Sequence, residues 1–172
     1  MNAIVLVRHL PTAYNVQQVL QGNKDTSILT PDRPLAASGR ERPPGRFDLV
    51  LCSPLLRALQ SAAVFGFADP EVEILLKEID FGPYEGRPRA ELMAEKTGWV
   101  HDPFNSELGA QVHDLRARVE AFFGKYRRRG RVLAFTHGTW MRLAHALYHL
   151  DDPRRMNRFM LDNGAVLQFD AD

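Results

Sequence analysis

Three short runs of apolar residues narrow the fold of this chain before any other feature does. Ala3-Ile4-Val5-Leu6-Val7, Asp48-Leu49-Val50-Leu51-Cys52 and Arg131-Val132-Leu133-Ala134-Phe135 each hold four or five consecutive apolar side chains. A strand with one wet face alternates polar and apolar residues. A strand that is apolar at successive positions must be covered on both faces, as in a parallel sheet between helices. Val72-Glu73-Ile74-Leu75 is a weaker strand candidate, and Ala165-Val166-Leu167-Gln168-Phe169 suits a last strand near an edge. Helical signals alternate with these runs. Pro54 to Phe65 opens with proline placed for the first helical position. Arg89 to Lys96 predicts a short helix stopped near Gly98. Leu108, Val112, Leu115, Val119 and Phe122 recur at intervals of 4, 3, 4 and 3, the apolar stripe of a long helix. Thr139 to Leu150 predicts a further helix that ends before Pro153. Strands alternating with helices predict an α/β fold, a three-layer α/β/α sandwich with a mainly parallel sheet, as one domain over residues 1–172. Residues 20–46, with four prolines and three glycines, read as a loop holding at most one short helix.

Composition excludes several functions. A chain of 172 residues supports one domain with a sizeable core, and 45% hydrophobic with 25% charged residues is ordinary for a globular protein. A net charge of +1 provides no global field for nucleic acid or an anionic membrane, so neither is expected as a partner. The basic run Lys125-Tyr126-Arg127-Arg128-Arg129 reads as the solvated last turn of a helix, where cations suit the macrodipole. The single cysteine, Cys52, cannot form an internal disulfide and reads as a small buried hydrophobe. No Cys-x5-Arg phosphate loop surrounds it. No apolar run approaches the ~18 residues of a membrane span. The chain enters a strand at once without a charged leader, which makes a cytoplasmic location the default expectation.

Ligands of α/β sheets bind beyond the carboxyl ends of the strands. Arg8-His9 follows the first apolar run. Ser53-Pro54 and then Arg57 follow the second, Lys77-Glu78 the weaker third, and Thr136-His137-Gly138 the fourth. Four segments should therefore deliver two arginines, two histidines and a glutamate to one edge. These residue types suit phosphoryl transfer. Arg8 and Arg57 can each grip phosphate oxygens bidentately, and a protonated His137 would add a third cation. His9 can act as nucleophile through one neutral ring nitrogen while the other donates to a backbone carbonyl. Glu78 is the candidate general acid, with Asp80 and Glu85 as rivals.

Leu6-Val7-Arg8-His9-Leu10-Pro11-Thr12-Ala13-Tyr14-Asn15 resembles the opening motif of the histidine phosphatase, or phosphoglycerate mutase-like, superfamily. Cys52-Ser53-Pro54-Leu55-Leu56-Arg57-Ala58-Leu59-Gln60-Ser61-Ala62 is similar to its second motif, and Leu76-Lys77-Glu78-Ile79-Asp80-Phe81-Gly82-Pro83-Tyr84-Glu85-Gly86-Arg87 to its acid-bearing loop. Thr136-His137-Gly138 followed by Arg142 resembles its last motif, and Asn163-Gly164 before the final strand also fits. The order is kept over nearly the whole chain. The resemblance implies a phosphoglycerate mutase-like fold and a phosphate pocket of Arg8, His9, Arg57 and His137, with His9 phosphorylated and Glu78 the proton donor. It further implies that Asn15 helps bind phosphate, that Gln21-Gly22 lies beside the substrate, and that Gly138 lends a backbone amide. No metal and no cofactor is implied. The expected partner is a small phosphorylated metabolite, and a homodimer is left open. The small members of the family include α-ribazole phosphatase and sugar phosphatases.

Three segments depart from the family pattern. Leu10 stands where glycine is usual, and a bulky residue would be strained there if the backbone needed positive φ. Asn105-Ser106-Glu107 replaces a usual Gly-Glu-Ser, with Ser106 suited to an N-cap. The loop from Gln21 to Ala36 carries Pro31, Asp32, Arg33 and Pro34. A phosphomonoesterase is the leading reading, with a mutase and a non-catalytic phospho-ligand binder as alternatives. His145 and His149, four apart, read as one helix face rather than a metal pair. His101-Asp102 and His113-Asp114 do not sit in the all-helical pattern of metal-dependent His-Asp hydrolases. Tyr14, Trp99 and Trp140 are candidates for the pocket wall or the core.

Overall fold

In the computed structural model, which describes residues 2–35 and 39–171, the apolar runs lie side by side. The first is β1 (Asn2–Arg8), followed by the one-turn helix α1 (Ala13–Val16). Then come β2 (Leu49–Cys52), α2 (Leu56–Val64) and a two-residue β3 (Glu71–Val72). Helices α3 (Arg89–Glu95), α4 (Gly98–His101) and α5 (Gly109–Tyr126) lead to β4 (Arg131–Thr136), α6 (Gly138–Tyr148) and β5 (Val166–Ala171). The sheet order is β3-β2-β4-β1-β5. All pairs are parallel except β5, which runs antiparallel along β1 at the edge.

Alternation across the pleat sorts the strand side chains into two layers. Val5 and Val7 of β1 join Leu133 and Phe135 of β4 beneath Ala58, Ala62 and Phe65 from α2 and its C-terminal cap. Ile4 and Leu6 join Val132 and Ala134 on the opposite face, under Val112, Leu115, Val119 and Phe122 of α5 and Trp140 of α6. Helices thus cover both faces, which is why β1 and β4 are apolar at consecutive positions. Register then decides the function. Arg8 pairs with Thr136 and Cys52 with Phe135, so the three inner parallel strands end at one level.

Several predicted elements are corrected by local chemistry. The third strand stops at Val72, because the Glu73 side chain accepts from Leu75 N–H and caps a 3₁₀ turn over Ile74–Leu76. Pro54 is not the first helical residue; Leu55 caps α2 instead. Ser106 does not cap α5, whose N-cap is Leu108; its hydroxyl accepts from Leu108 N–H at 3.3 Å. In the basic run, Lys125 is not a purely solvated cation, for it pairs with Glu73 at 2.7 Å. Trp140 belongs wholly to the core, its indole N–H donating to Leu75 O at 2.8 Å. No α-helix occurs in 20–46 among the described residues, and Ala36, Ala37 and Ser38 lie outside them, as do Met1 and Asp172. No helix of the described residues is long and apolar enough to cross a membrane.

Candidate active site

The ends of β1, β2 and β4 open onto a cavity of about 470 Å³. Arg8, His9, Asn15, Gln21, Gly22, Arg57, Glu78 and Gly138 all border it. His137, the remaining predicted site residue, does not; it lies against His9, with ring centroids 5.4 Å apart. His9 is only 2% exposed. Its Nδ1 lies 2.7 Å from Leu10 O. A carbonyl can only accept, so Nδ1 carries the proton and Nε2 the lone pair. Leu10 itself does not have positive φ, so its replacement of glycine brings no backbone strain there. Its side chain is buried in the layer under α2 and its N–H donates to Ser61 Oγ at 2.8 Å.

The lead-in to β5 fixes the end of β1. Asn163 Nδ2 donates to His9 O at 3.0 Å, and Gly164, at φ +76°, donates its N–H to Arg8 O at 3.0 Å. That left-handed backbone explains the glycine. Arg8 donates to Leu161 O. Arg57, on the first turn of α2, donates to Lys24 O and Gly22 O, each at 2.7 Å. The Gly22 turn is thereby folded onto the guanidinium. It is held from the far side by Glu85, which accepts from Asn23 N–H at 2.7 Å. Gly22 has φ +49°, and a Cβ there would collide with the Glu85 carboxylate. Glu85 is thus a tether, and Asp80 accepts from Gly82 N–H in an exposed turn. Neither rival acid borders the cavity.

Glu78 does, and its carboxylate sits on the start of α6. Oε2 accepts from Thr139 N–H at 3.0 Å; Oε1 accepts from Trp140 N–H at 3.1 Å and Ile79 N–H at 3.0 Å. The loop that carries it is tied down by Thr136 Oγ1, which donates to Leu76 O, and by Arg118 of α5, which donates to the Lys77 and Glu78 carbonyls. Asn15 spends its carbonyl oxygen in a capping box with Thr12, so its amide N–H groups are what it can offer an anion. Gln21 Oε1 accepts from Thr12 and Thr26 hydroxyls.

Buried nitrogens without partners gather at this edge. Arg8 Nε, Arg57 Nε, His137 Nδ1 and Arg142 Nε have none among the described residues. Native interiors seldom leave such groups unpaired, so the cluster points to an acceptor-rich ligand. Burial lowers Arg57 to about 10, which leaves it charged at neutral pH. Burial, then Arg57 and Arg8, hold His9 well below the usual histidine range. Burial, then Arg57, His9 and Arg8, do the same to His137, which favours its neutral form while no anion is bound. A phosphate dianion would act in the opposite sense. For both histidines the unfolded chain binds protons more readily than the folded one. Their stabilising contribution is whole above about pH 6.5 and is lost as pH falls through the folded values. The melting temperature, without added anion, should therefore drop as pH is lowered from about 6.5 toward 5. His137→Gln should shorten that decline, and vanadate should raise the melting temperature most at its acid end. A flat profile across this window would contradict the buried neutral pair.

Some site residues carried weak or no sequence signal. Arg142 borders the cavity from α6, four residues after Gly138 and so on the same helix face. Tyr14, Phe81, Trp99 and the Met160-Leu161-Asp162 segment complete the wall. Cys52 is fully buried, and desolvation pushes its thiol up to about 12, as befits a packing residue. His145 and His149 approach with Nδ1 atoms 2.8 Å apart, and no third metal ligand joins them among the described residues.

The chain is similar to known proteins in sequence and in fold. A family model described as histidine phosphatase superfamily (branch 1) matches residues 4–172. The chain belongs to that superfamily. Among curated histidine phosphatase relatives, fructose-2,6-bisphosphatase TIGAR of Xenopus tropicalis is 33% identical over 138 residues, 70% of this chain and 48% of that protein. An acid phosphatase of Mycobacterium tuberculosis is 28% identical over 146 residues, 81% of this chain and 71% of the relative. The chain spans about half the length of the first of these. The solved structure of a proposed alpha-ribazole-5'-P phosphatase from Escherichia coli superposes with a TM-score of 0.76 at 26% identity, covering 99% of this chain and 91% of the other. The α/β fold is thus that of the phosphoglycerate mutase-like proteins.

Proposed function

We propose that this chain is a phosphomonoesterase that hydrolyses a small phosphorylated metabolite through a phosphohistidine on His9. The observation that carries the reading is one neutral imidazole, its Nδ1 proton held by Leu10 O, beside two arginines and one glutamate on the same cavity. In the first step His9 Nε2 attacks phosphorus as the ester P–O bond breaks. Arg8, Arg57 and the Gly138 amide meet the equatorial oxygens, whose charge is what this transition state needs stabilised. Glu78 gives its proton to the leaving oxygen. In the second step water loses a proton to the Glu78 carboxylate and attacks phosphorus. The P–N bond breaks, phosphate leaves and His9 returns neutral.

Phosphatase names among the relatives support the reaction class. The positive charge this chemistry needs comes from side chains, so a metal has no role in the proposal. Hydrolysis is favoured over mutase chemistry by chain economy. Between Glu78 and His137 the residues go into α3, α4 and α5, which leaves little length for a cover that would keep water from the phosphohistidine. A panel of phosphorylated metabolites, assayed for released phosphate in EDTA, tests the proposal. Release from at least one monoester is expected, with negligible interconversion of 2- and 3-phosphoglycerate even when 2,3-bisphosphoglycerate is present. A strict need for added Mg²⁺ or Zn²⁺, or efficient interconversion with little free phosphate, would overturn it.

A further inference from the structure

His137 leaves β4 with one ring nitrogen held and the other open. Strand β4 lies between β1 and β2, so His137 has His9 on one flank and Ser53 on the other. Ser53 is fully buried. Its N–H donates to Phe135 O at 3.0 Å, and the proline that follows restricts its backbone to extended conformations. Its hydroxyl oxygen lies 2.7 Å from His137 Nε2. Nδ1 of the same ring is buried and has no partner among the described residues.

A count of donors and acceptors decides which nitrogen carries the proton. Ser53 Oγ accepts from Leu55 N–H at 3.4 Å. A proton on Nε2 would be donated to the same oxygen. The serine hydroxyl proton would then be buried without an acceptor among the described residues, and the Nδ1 lone pair would be unmet as well. If the serine donates to Nε2 instead, its hydroxyl is satisfied and a single open group remains, an N–H at Nδ1. One open donor costs less than an open donor together with an open acceptor. It also suits the ligand, since the oxygens of a phosphate dianion can only accept. The two nitrogens of an imidazole face away from each other, so Nδ1 turns away from Ser53.

We propose that Ser53 is a positioning residue whose hydroxyl holds neutral His137 in the Nδ1–H tautomer, so that His137 can donate a hydrogen bond to the transferring phosphoryl group without first taking up a proton. The catalytic half of this statement rests on the phosphatase reading, while the hydrogen-bond count does not. Arg8 and His9 at the end of β1, Arg57 on α2 and Arg118 on α5 surround the ring and all disfavour its protonation. Glu78 sits beyond it on the Thr139 and Trp140 amides. A donor that is present in the neutral form is therefore what these surroundings require.

Nitrogen-15 NMR of the unliganded wild type near neutral pH reads the tautomer, with the His137 signals identified by their loss in His137→Gln. A protonated Nδ1 and a bare Nε2 are expected. In Ser53→Ala the proton should move largely to Nε2, and in Ser53→Thr, which keeps the hydroxyl, it should stay on Nδ1. Ser53→Ala should also lower kcat for p-nitrophenyl phosphate by roughly ten- to a hundredfold, with little change in KM, the scale of one lost hydrogen bond to developing charge. That deficit should shrink as pH falls, because a protonated ring donates through both nitrogens. Ser53→Thr should restore most of the rate. A merely structural role would cost the same factor at every pH. A wild-type proton on Nε2, a tautomer unmoved by Ser53→Ala, or a deficit independent of pH would overturn the proposal. If Ser53→Ala does not fold, the wild-type and Ser53→Thr spectra still decide it, since Nε2–H in either would overturn it. If the wild type hydrolyses no monoester while the tautomer and its shift hold, the grip of Ser53 on His137 stands and the phosphatase reaction does not.

Discussion

His9→Ala should remove turnover by several orders of magnitude, the scale of loss seen when a covalent nucleophile is deleted, and leave the protein folded. The second half of that expectation follows from the surroundings of the ring. The His9 ring makes one hydrogen bond among the described residues, to Leu10 O, and is a neutral group among arginines, so its removal takes away little that holds the chain together. Brief incubation of the wild type with labelled substrate should leave acid-labile, base-stable label on His9, and the variant should carry none. Label on Cys52 or on a serine would sink the assignment. Cys52 is a poor rival on physical grounds, since its thiol is fully buried and protonated far above neutral pH.

The second large effect is selective. Glu78→Gln should slow hydrolysis of sugar-alcohol phosphates by about 10²–10⁴-fold, the usual contribution of a general acid. It should slow p-nitrophenyl phosphate far less, because p-nitrophenolate leaves without a proton. The substitution also disturbs structure. A glutamine oxygen can replace one carboxylate oxygen, but its NH₂ then meets one of the backbone N–H groups that Glu78 now satisfies. That disturbance acts on both substrates alike, so the ratio of the two rates isolates the proton. Equal losses would mean that Glu78 merely secures the start of α6. Asp80 and Glu85 could not then inherit the role, since neither borders the cavity.

The fold was legible where burial dictates composition. Strands β1, β2 and β4 are covered on both faces, and that demand writes itself into runs such as Ile4-Val5-Leu6-Val7. Their parallel direction then brings the residues after each strand to one edge, so His9, Arg57 and Glu78 were readable without coordinates. The edge was less legible. Glu71–Val72 is a two-residue strand whose end is set by one side-chain cap, and apolar pattern carries no trace of that. Arg142 was visible as part of a motif and its place on the cavity was not, although its spacing from Gly138 put it on the same helix face. His137 was readable as a residue at the end of β4 beside His9, but the effect of its surroundings on its charge was not. Charge depends on how deeply the ring is buried and which cations surround it, and both are properties of packing. The Met160–Asp162 wall had little signal, because its contact with Arg8 runs through the Leu161 carbonyl, which any residue could supply.

The grip of Arg57 on the Gly22 and Lys24 carbonyls has a bearing on how losses at this position are to be apportioned. The guanidinium is at once a counter-ion and a hinge pin, since the turn that forms one side of the cavity hangs from two of its nitrogens. Shortening it to alanine subtracts a wall together with a charge. The rate or affinity lost would then exceed the strength of any single ion contact, and it would not add to the loss from a separate change in the turn. Lysine at 57 would keep the charge but could not reproduce the planar two-pronged hold. The difference between those two replacements measures how much of the arginine serves the substrate and how much serves the enclosure.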